Sequence, residues 1–379
     1  MPSRNVLAHL GPAPKIAVLR GGGLGDFLAT TPALRALRRA VPGARLSVLT
    51  TAYLEPLVRR YPSIDRVVLL PADPGVAPGQ ADARAAAVFF DRMRAERFDL
   101  ALQWHGGGQH SNPFVRQLGA RLTAGFRAPD AARLDYWLPY DTHQHEVLRY
   151  LDLVTLLGGE PCGVALDLLL LPSDEAELAE LGDVLDLASW RAGALIGVNL
   201  GASGATRRWA PEGYAAVVNA LLAEYDLAGV VVNAPGEQAN AAERFVAALE
   251  RPEWAMNLAS RTSLGALIAL ISRLRLFLTN DSGPSHIANA LGTPTVTVFG
   301  SANPLNWGPL SRTWHRVVAD WGAPCRYLAR DGCDADSYSP CLQAIQVEAV
   351  LREARQVLAL PEARVDRAAE RGTLRPIPA

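Results

Sequence analysis

An α/β fold in two domains follows from three features of the sequence. Short apolar runs of strand type alternate with segments of helical period along most of the chain. Two of those runs, residues 15–20 and 194–200, each lead straight into a small-residue loop, so both halves open in the same way. The length, 379 residues, exceeds what one ordinary core organises, which makes two domains the default.

Residues 1–14 are a polar, proline-containing lead-in to the first buried strand, Lys15-Ile16-Ala17-Val18-Leu19-Arg20. Gly21-Gly22-Gly23-Leu24-Gly25-Asp26 is a glycine loop, and residues 27–41 read as a helix with Leu28, Leu34, Leu37 and Val41 inward. Strands follow at 46–50 and 67–70, at the spacing of βαβ units. Residues 72–83, rich in Pro, Gly and Asp, form a loop before a helix that runs to about residue 97 and a strand at 99–104. A second glycine-rich loop covers 105–112, a helix covers 145–157, and 166–172 reads as the linker. The first domain is therefore 1–172.

In the second domain, 173–346, Ser173-Asp174-Glu175 opens a helix by N-cap and early acidic residues. A strand at 194–200, a helix at 211–225, a strand at 229–233 and a helix at 239–249 come next. The most informative stretch is 276–309. Leu276-Phe277-Leu278-Thr279 is a buried strand, and Asn280-Asp281-Ser282-Gly283 turns the chain with side chains able to cap a helix. Pro284 suits a first helical turn, Gly292 stops the helix, and 295–299 is a second strand. A strand that feeds a small-residue turn and a helix N-terminus presents free N–H groups to a phosphate at the carboxyl end of a sheet. A purely structural βαβ unit has the same pattern. A helix at 347–358 and an Arg-, Ala- and Pro-rich tail make up the third segment, 347–379.

Composition excludes several classes of function. Apolar residues make up 49% and charged residues 20%, the balance of a folded globular chain, and a formal net charge of −1 argues against nucleic-acid binding. The first half carries a slight basic excess, which suits an acidic acceptor or an anionic membrane surface. No apolar run reaches the length of a membrane span and the start lacks the core of a signal peptide, so a cytoplasmic protein is expected. The loop RGGGLGD does not satisfy G-x-G-x-x-G and no Walker-type loop is present, so NAD-type and P-loop readings lose their support.

Five groups of residues are able to carry chemistry. Asp26 is a carboxylate at a strand end on a backbone open to close approach; the same residue type after glycines serves as a helix cap. Arg207 and Arg208, beside the small-residue loop holding Ser203, suit a diphosphate clamp, although a solvated pair before a helix reads identically. Glu237 follows a strand, where a carboxylate accepts from ribose hydroxyls. Asp281, Ser282, Gly283 and His286 surround the helix start, with Asp281 read as binding sugar hydroxyls or capping the helix and His286 as meeting a phosphate or serving structure. Trp104, His105, Gln109 and Asn112 lie on the second glycine-rich loop, where polar side chains suit a sugar and Trp104 offers a stacking face. No cluster has metal-ligand spacing.

NDSGPSHIANALGTPTVTVFG resembles the C-terminal signature of the bacterial ADP-heptose:lipopolysaccharide heptosyltransferases, glycosyltransferase family 9. A second match lies near the N-terminus, where Gly25-Asp26 is followed by Thr30-Thr31-Pro32-Ala33-Leu34, and the likeness spans nearly the whole chain. The resemblance implies a GT-B fold, two Rossmann-like domains facing across a cleft, with the donor nucleotide held mostly by the second. It implies an inverting, metal-independent glycosyltransferase without a cofactor, the nucleotide-sugar being a substrate. Asp26 matches the family's proposed catalytic base, with Gly25 on the acceptor side. Ser203 and Arg207 match its hydroxyl and basic positions, arginine replacing the usual lysine, which leaves Arg207 and Arg208 as alternatives.

ADP-L-glycero-D-manno-heptose is the implied donor and a lipopolysaccharide inner-core precursor the acceptor. The expected protein is a monomer that touches the inner membrane peripherally. A GT-B nucleotide-sugar epimerase and a non-catalytic nucleotide-sugar-binding protein are the alternatives. Cys325, Cys333 and Cys341 are spaced C-x₇-C-x₇-C, without the short C-x₂₋₄-C knuckle of structural zinc sites, so reduced, buried thiols are expected.

Overall fold

The computed structural model describes residues 5–182, 194–323 and 340–360. The chain divides into two compact units, Met1–Asp167 and Leu168–Ala379. The first holds strands β1 (Lys15–Leu19), β2 (Arg45–Thr50), β3 (Arg66–Leu69), β4 (Leu100–Gln103), β5 (Leu122–Arg127) and β6 (Tyr136–Pro139). The second holds β7 (Leu195–Asn199), β8 (Gly229–Asn233), β9 (Ala255–Asn257), β10 (Leu276–Asn280), β11 (Thr295–Phe299) and β12 (His315–Ala319).

Each set forms one six-stranded sheet, ordered β3-β2-β1-β4-β5-β6 and β12-β11-β10-β7-β8-β9. Every pairing is parallel. Counted from the first strand of each unit, the order is the same in both: three strands step outward one way, then the chain returns to the other side. This is the Rossmann order, and its reversal falls between β1 and β4 and between β7 and β10.

Strands β4, β7, β8, β10 and β11 are buried along their whole length, which is why they read as mostly apolar runs. In the second unit Val198, Val232, Leu278 and Val296 share a core with Tyr214, Val218 and Leu221 of helix Pro211–Glu224. Val350 and Ala354 of helix Val347–Leu358 join the same core. The C-terminal helix is thus part of the second unit, not a separate segment. No helix among the described residues is long and apolar enough to cross a membrane.

Several local expectations are corrected. The helix expected at 27–41 is two, Leu24–Leu28 and Thr31–Ala40. Pro32 has no N–H to offer Leu28, and the Thr31 hydroxyl donates to that carbonyl instead, at 2.7 Å. Pro172 does not end the linker but occupies the first turn of helix Pro172–Ala179, whose N-cap is Leu171, not Ser173. Strands β5, β6, β9 and β12 and helices Ser111–Gln117 and Leu264–Arg273 were not expected. Three of those strands lie at sheet edges, where fewer positions need to be apolar. In β5, Gly125 interrupts the run because a Cβ there would stand 2.6 Å from that of Gln103 on β4.

Candidate functional site

In the first unit the predicted residues collect at the carboxyl ends of β1 and β4, the strands flanking the reversal. The glycines there make room. A Cβ on Gly21 would approach the Val76 carbonyl to 2.7 Å, and Gly22, at φ +96°, lies against the Asp26 carboxylate. Asp26 Oδ2 accepts the Gly23 N–H at 2.7 Å and Oδ1 accepts Arg20 Nη2 at 2.7 Å. The aspartate therefore does support the start of helix Leu24–Leu28, yet its side chain stays 35% exposed. Two bonds leave lone pairs on both oxygens.

His105 Nε2 lies 3.1 Å from the Gly75 carbonyl, joining the 72–79 loop to the end of β4. Burial, reinforced by the Arg20 charge, pushes its imidazole down to about 4, so it is neutral near pH 7. Gln109 is exposed and donates to Asp130.

The rest of the expected acceptor group lies inside. Trp104 is fully buried with its ring 5.6 Å from that of Tyr150, so it has no free face to stack on a sugar. Asn112 is buried because its amide donates to the Phe126 and Ala132 carbonyls, at 3.0 and 2.8 Å. Gly108 is glycine to admit that amide, not a substrate. Gly25 is enclosed in its helix, its carbonyl accepting the Ala29 N–H. Trp104→Phe is expected to cost about 1–2 kcal/mol of stability through the cavity alone. Its indole N–H has no hydrogen-bond partner to lose among the described residues. The KM for acceptor should not move; a raised acceptor KM at unchanged stability in chemical denaturation would restore the stacking role.

In the second unit the residues gather at the ends of β7 and β10, again flanking the reversal. Arg208 Nε donates to the Ala202 carbonyl at 3.0 Å, tying the arginine to its own loop. Arg207 closes a 3₁₀ turn, Ala205–Arg207, with its side chain 40% exposed and Nη1 3.7 Å from Asp281 Oδ2. Thr206 anchors the turn: its hydroxyl lies 2.9 Å from that of Ser301, and its carbonyl accepts the Ser301 N–H. Ser203 is exposed at the tip of the loop.

Ser282, not Asp281, occupies the N-cap position of helix Gly283–Leu291, and the Ser285 hydroxyl donates back to the Ser282 carbonyl. Asp281 is buried between Arg207 and His286, whose Nε2 stands 3.9 Å from Oδ1. Its negative charge thus sits beside a cation, which relieves the repulsion an isolated carboxylate would exert on a diphosphate. His286 meets Trp307 edge to face at 6.1 Å. Glu237 falls in the short turn Gly236–Gln238, but its side chain lies outside the described residues.

A set of amides escaped the sequence reading. Asn280 accepts the Trp209 N–H and the Tyr214 hydroxyl on Oδ1 and donates to the Leu200 carbonyl, so it pins the RRWAP segment to the sheet. Asn199 donates to the Gly201 carbonyl and the Thr279 and Ser282 hydroxyls, and accepts from Asn233. Gln238 clamps Ala202 through both its N–H and its carbonyl. The signal was present: β7, β8, β9 and β10 all end in asparagine after an otherwise mostly apolar run. In the first unit the omitted residue is Arg20, which closes KIAVLR.

Cys325 and Cys333 lie outside the described residues. Cys341 is buried and Cys162 half-buried. His315 is buried in β12 with Nδ1 3.0 Å from the Thr295 hydroxyl, and burial pushes it down to about 4.

The model of glycosyltransferase family 9 (heptosyltransferase) matches residues 87–330, which includes the second-unit residues but not Asp26. Lipopolysaccharide heptosyltransferase 2 of Escherichia coli (strain K12) is 26% identical over 364 residues, covering 92% of this chain and 100% of the relative. Among solved structures, the family 9 glycosyl transferase of Veillonella parvula superposes with a TM-score of 0.74 at 21% identity, covering 91% of this chain and 97% of that one. The E. coli ADP-heptose lps heptosyltransferase II gives 0.69 at 24% identity, covering 91% and 98%. At these identities the structural likeness establishes the fold, the GT-B fold expected from the sequence.

Proposed function

The chain belongs to glycosyltransferase family 9 and is a glycosyltransferase, and from that premise we propose that it transfers heptose from an ADP-heptose to a lipopolysaccharide-core acceptor with inversion. An acceptor hydroxyl attacks the anomeric carbon and gives its proton to Asp26. The new C–O bond forms as the bond to the diphosphate breaks, and the electron pair leaves with ADP. An aspartate serves as base here because the hydroxyl loses its proton late, when it has become acidic. Ser203, Arg207 and the Gly283 N–H at the start of helix Gly283–Leu291 meet the charge that develops on the diphosphate, since Pro284 has no N–H and those of Ser282 and Ser285 donate within the turn; each preorganised donor is worth roughly 2.7–4 kcal/mol in the transition state. With that charge carried by protein groups, the reaction needs no metal.

The observation that carries this reading is the Asp26 carboxylate: each oxygen has one fixed donor, yet the group remains open to a substrate at the strand reversal. The donor half rests on Arg207 beside the start of helix Gly283–Leu291. The expected result of a thermal-shift panel of ADP, UDP, GDP and their sugars is stabilisation by the ADP set, about 2.7 kcal/mol at a hundred times Kd. In chelator-containing buffer, ADP-heptose with an inner-core acceptor should yield glycosylated acceptor and ADP. Release of an epimerised free sugar would make the chain an epimerase; binding without turnover would make it a sensor.

A further inference from the structure

We propose that Arg20 is the positioning residue of the base: it holds the Asp26 carboxylate in one orientation at the junction of β1 and β4. This rests on Asp26 acting as the base. Arg20 follows the last residue of β1 and its own N–H donates to the Leu49 carbonyl at 2.9 Å, which fixes the backbone. Its guanidinium then makes three bonds. Nε reaches the Asp26 carbonyl at 3.0 Å, Nη2 reaches Asp26 Oδ1 at 2.7 Å, and Nη1 reaches the Trp104 carbonyl at 2.9 Å. Because the fork is planar and rigid, these bonds set Asp26 relative to both strands at once. With Oδ2 held by the Gly23 N–H, the carboxylate cannot turn without breaking a bond.

The far side of Arg20 is a buried wall from helix Glu146–Leu156. The guanidinium lies 5.5 Å from the centre of the Tyr150 ring. The Tyr150 hydroxyl donates to Glu146 at 2.8 Å, and Glu146 pairs with the buried Arg149 at 3.2 Å. Burial opposes the Arg20 charge, but Tyr150, Asp26 and Glu146 outweigh it, and the guanidinium is held charged more firmly than in water. The pair is asymmetric: the arginine side chain is 5% exposed and the aspartate side chain 35%. A buried pair of this kind is weak support for stability on its own. Its open end is the carboxylate, and orientation is what a base needs.

The test is a double-mutant cycle by steady-state kinetics on the full chain, with ADP-heptose and a lipopolysaccharide inner-core precursor. Arg20→Lys keeps the charge and loses the fork, and should lower kcat about tenfold; Arg20→Gln should lower it on the order of 30-fold, with both KM values within about twofold. In the Asp26→Asn background either change should cost almost nothing more, because the group it serves is gone. Thermal unfolding of each variant separates this from loss of fold, and Arg20→Lys carries the cycle if Arg20→Gln does not fold. Additive losses, or an unchanged kcat in both Arg20 variants, overturn the positioning role while leaving the base in place. A fully active Asp26→Asn, or a wild-type chain that transfers nothing, overturns the proposed function and this role together.

Discussion

Asp26→Asn is expected to lower kcat by about 10²–10⁴ while the Kd for ADP stays within a few-fold. The two halves of that expectation have separate physical causes. The loss in turnover follows from chemistry: an amide has no basic lone pair for the hydroxyl proton. The retained affinity follows from the proposed donor site, because Arg207, Asp281 and Ser282 lie in the unit Leu168–Ala379 and Asp26 in Met1–Asp167. Asparagine cannot accept from both Gly23 and Arg20, since one of its two positions is now a donor. A modest fall in stability is therefore expected, and chemical denaturation should accompany the kinetics. Calorimetric titration with ADP beside a transfer assay decides the matter. Parallel losses in binding and turnover would make Asp26 a structural aspartate.

Arg207→Ala is expected to weaken ADP binding by roughly 1.5–3 kcal/mol, the worth of a hydrogen bond to a charged group, or about 10- to 150-fold in Kd. Two effects add. A cation facing the diphosphate is lost, and the buried Asp281 carboxylate loses the guanidinium 3.7 Å away, so less of its negative charge is offset before the ligand. Binding by the variant should also depend less on salt. Arg208→Ala makes the contrast, because the Arg208 Nε is tied to the Ala202 carbonyl of its own loop. Its removal should loosen the loop and leave most of the salt dependence intact. If Arg208→Ala abolishes the salt dependence and Arg207→Ala does not, the diphosphate clamp is Arg208.

The sequence by itself determined the class of fold, the twofold repetition of strand and small-residue loop, and the segments that hold the chemistry. These are local properties. An apolar run such as residues 276–278 is dictated by burial on both faces, and Ser282, Pro284 and Gly292 mark the ends of the helix after it by their own backbone preferences. Glycine loops, arginine pairs and an aspartate at a strand end are equally visible in one dimension. Edge strands such as β9 and β12 were not, because a strand covered by fewer neighbours needs fewer apolar residues.

Only the tertiary structure decided which polar residues face outward. Trp104 and Asn112 have the chemistry of a sugar site, but packing against Tyr150 and bonding to β5 and the turn after it use that chemistry internally. Arg20 and Asn280 read as unremarkable strand ends, and pairing across the sheet made them the groups that hold Asp26 and the arginine loop. The physical reason is range. Propensity and periodicity act over a few residues, whereas a hydrogen bond from residue 20 to residue 104, or from residue 209 to residue 280, exists only once the parallel strands have brought those ends together.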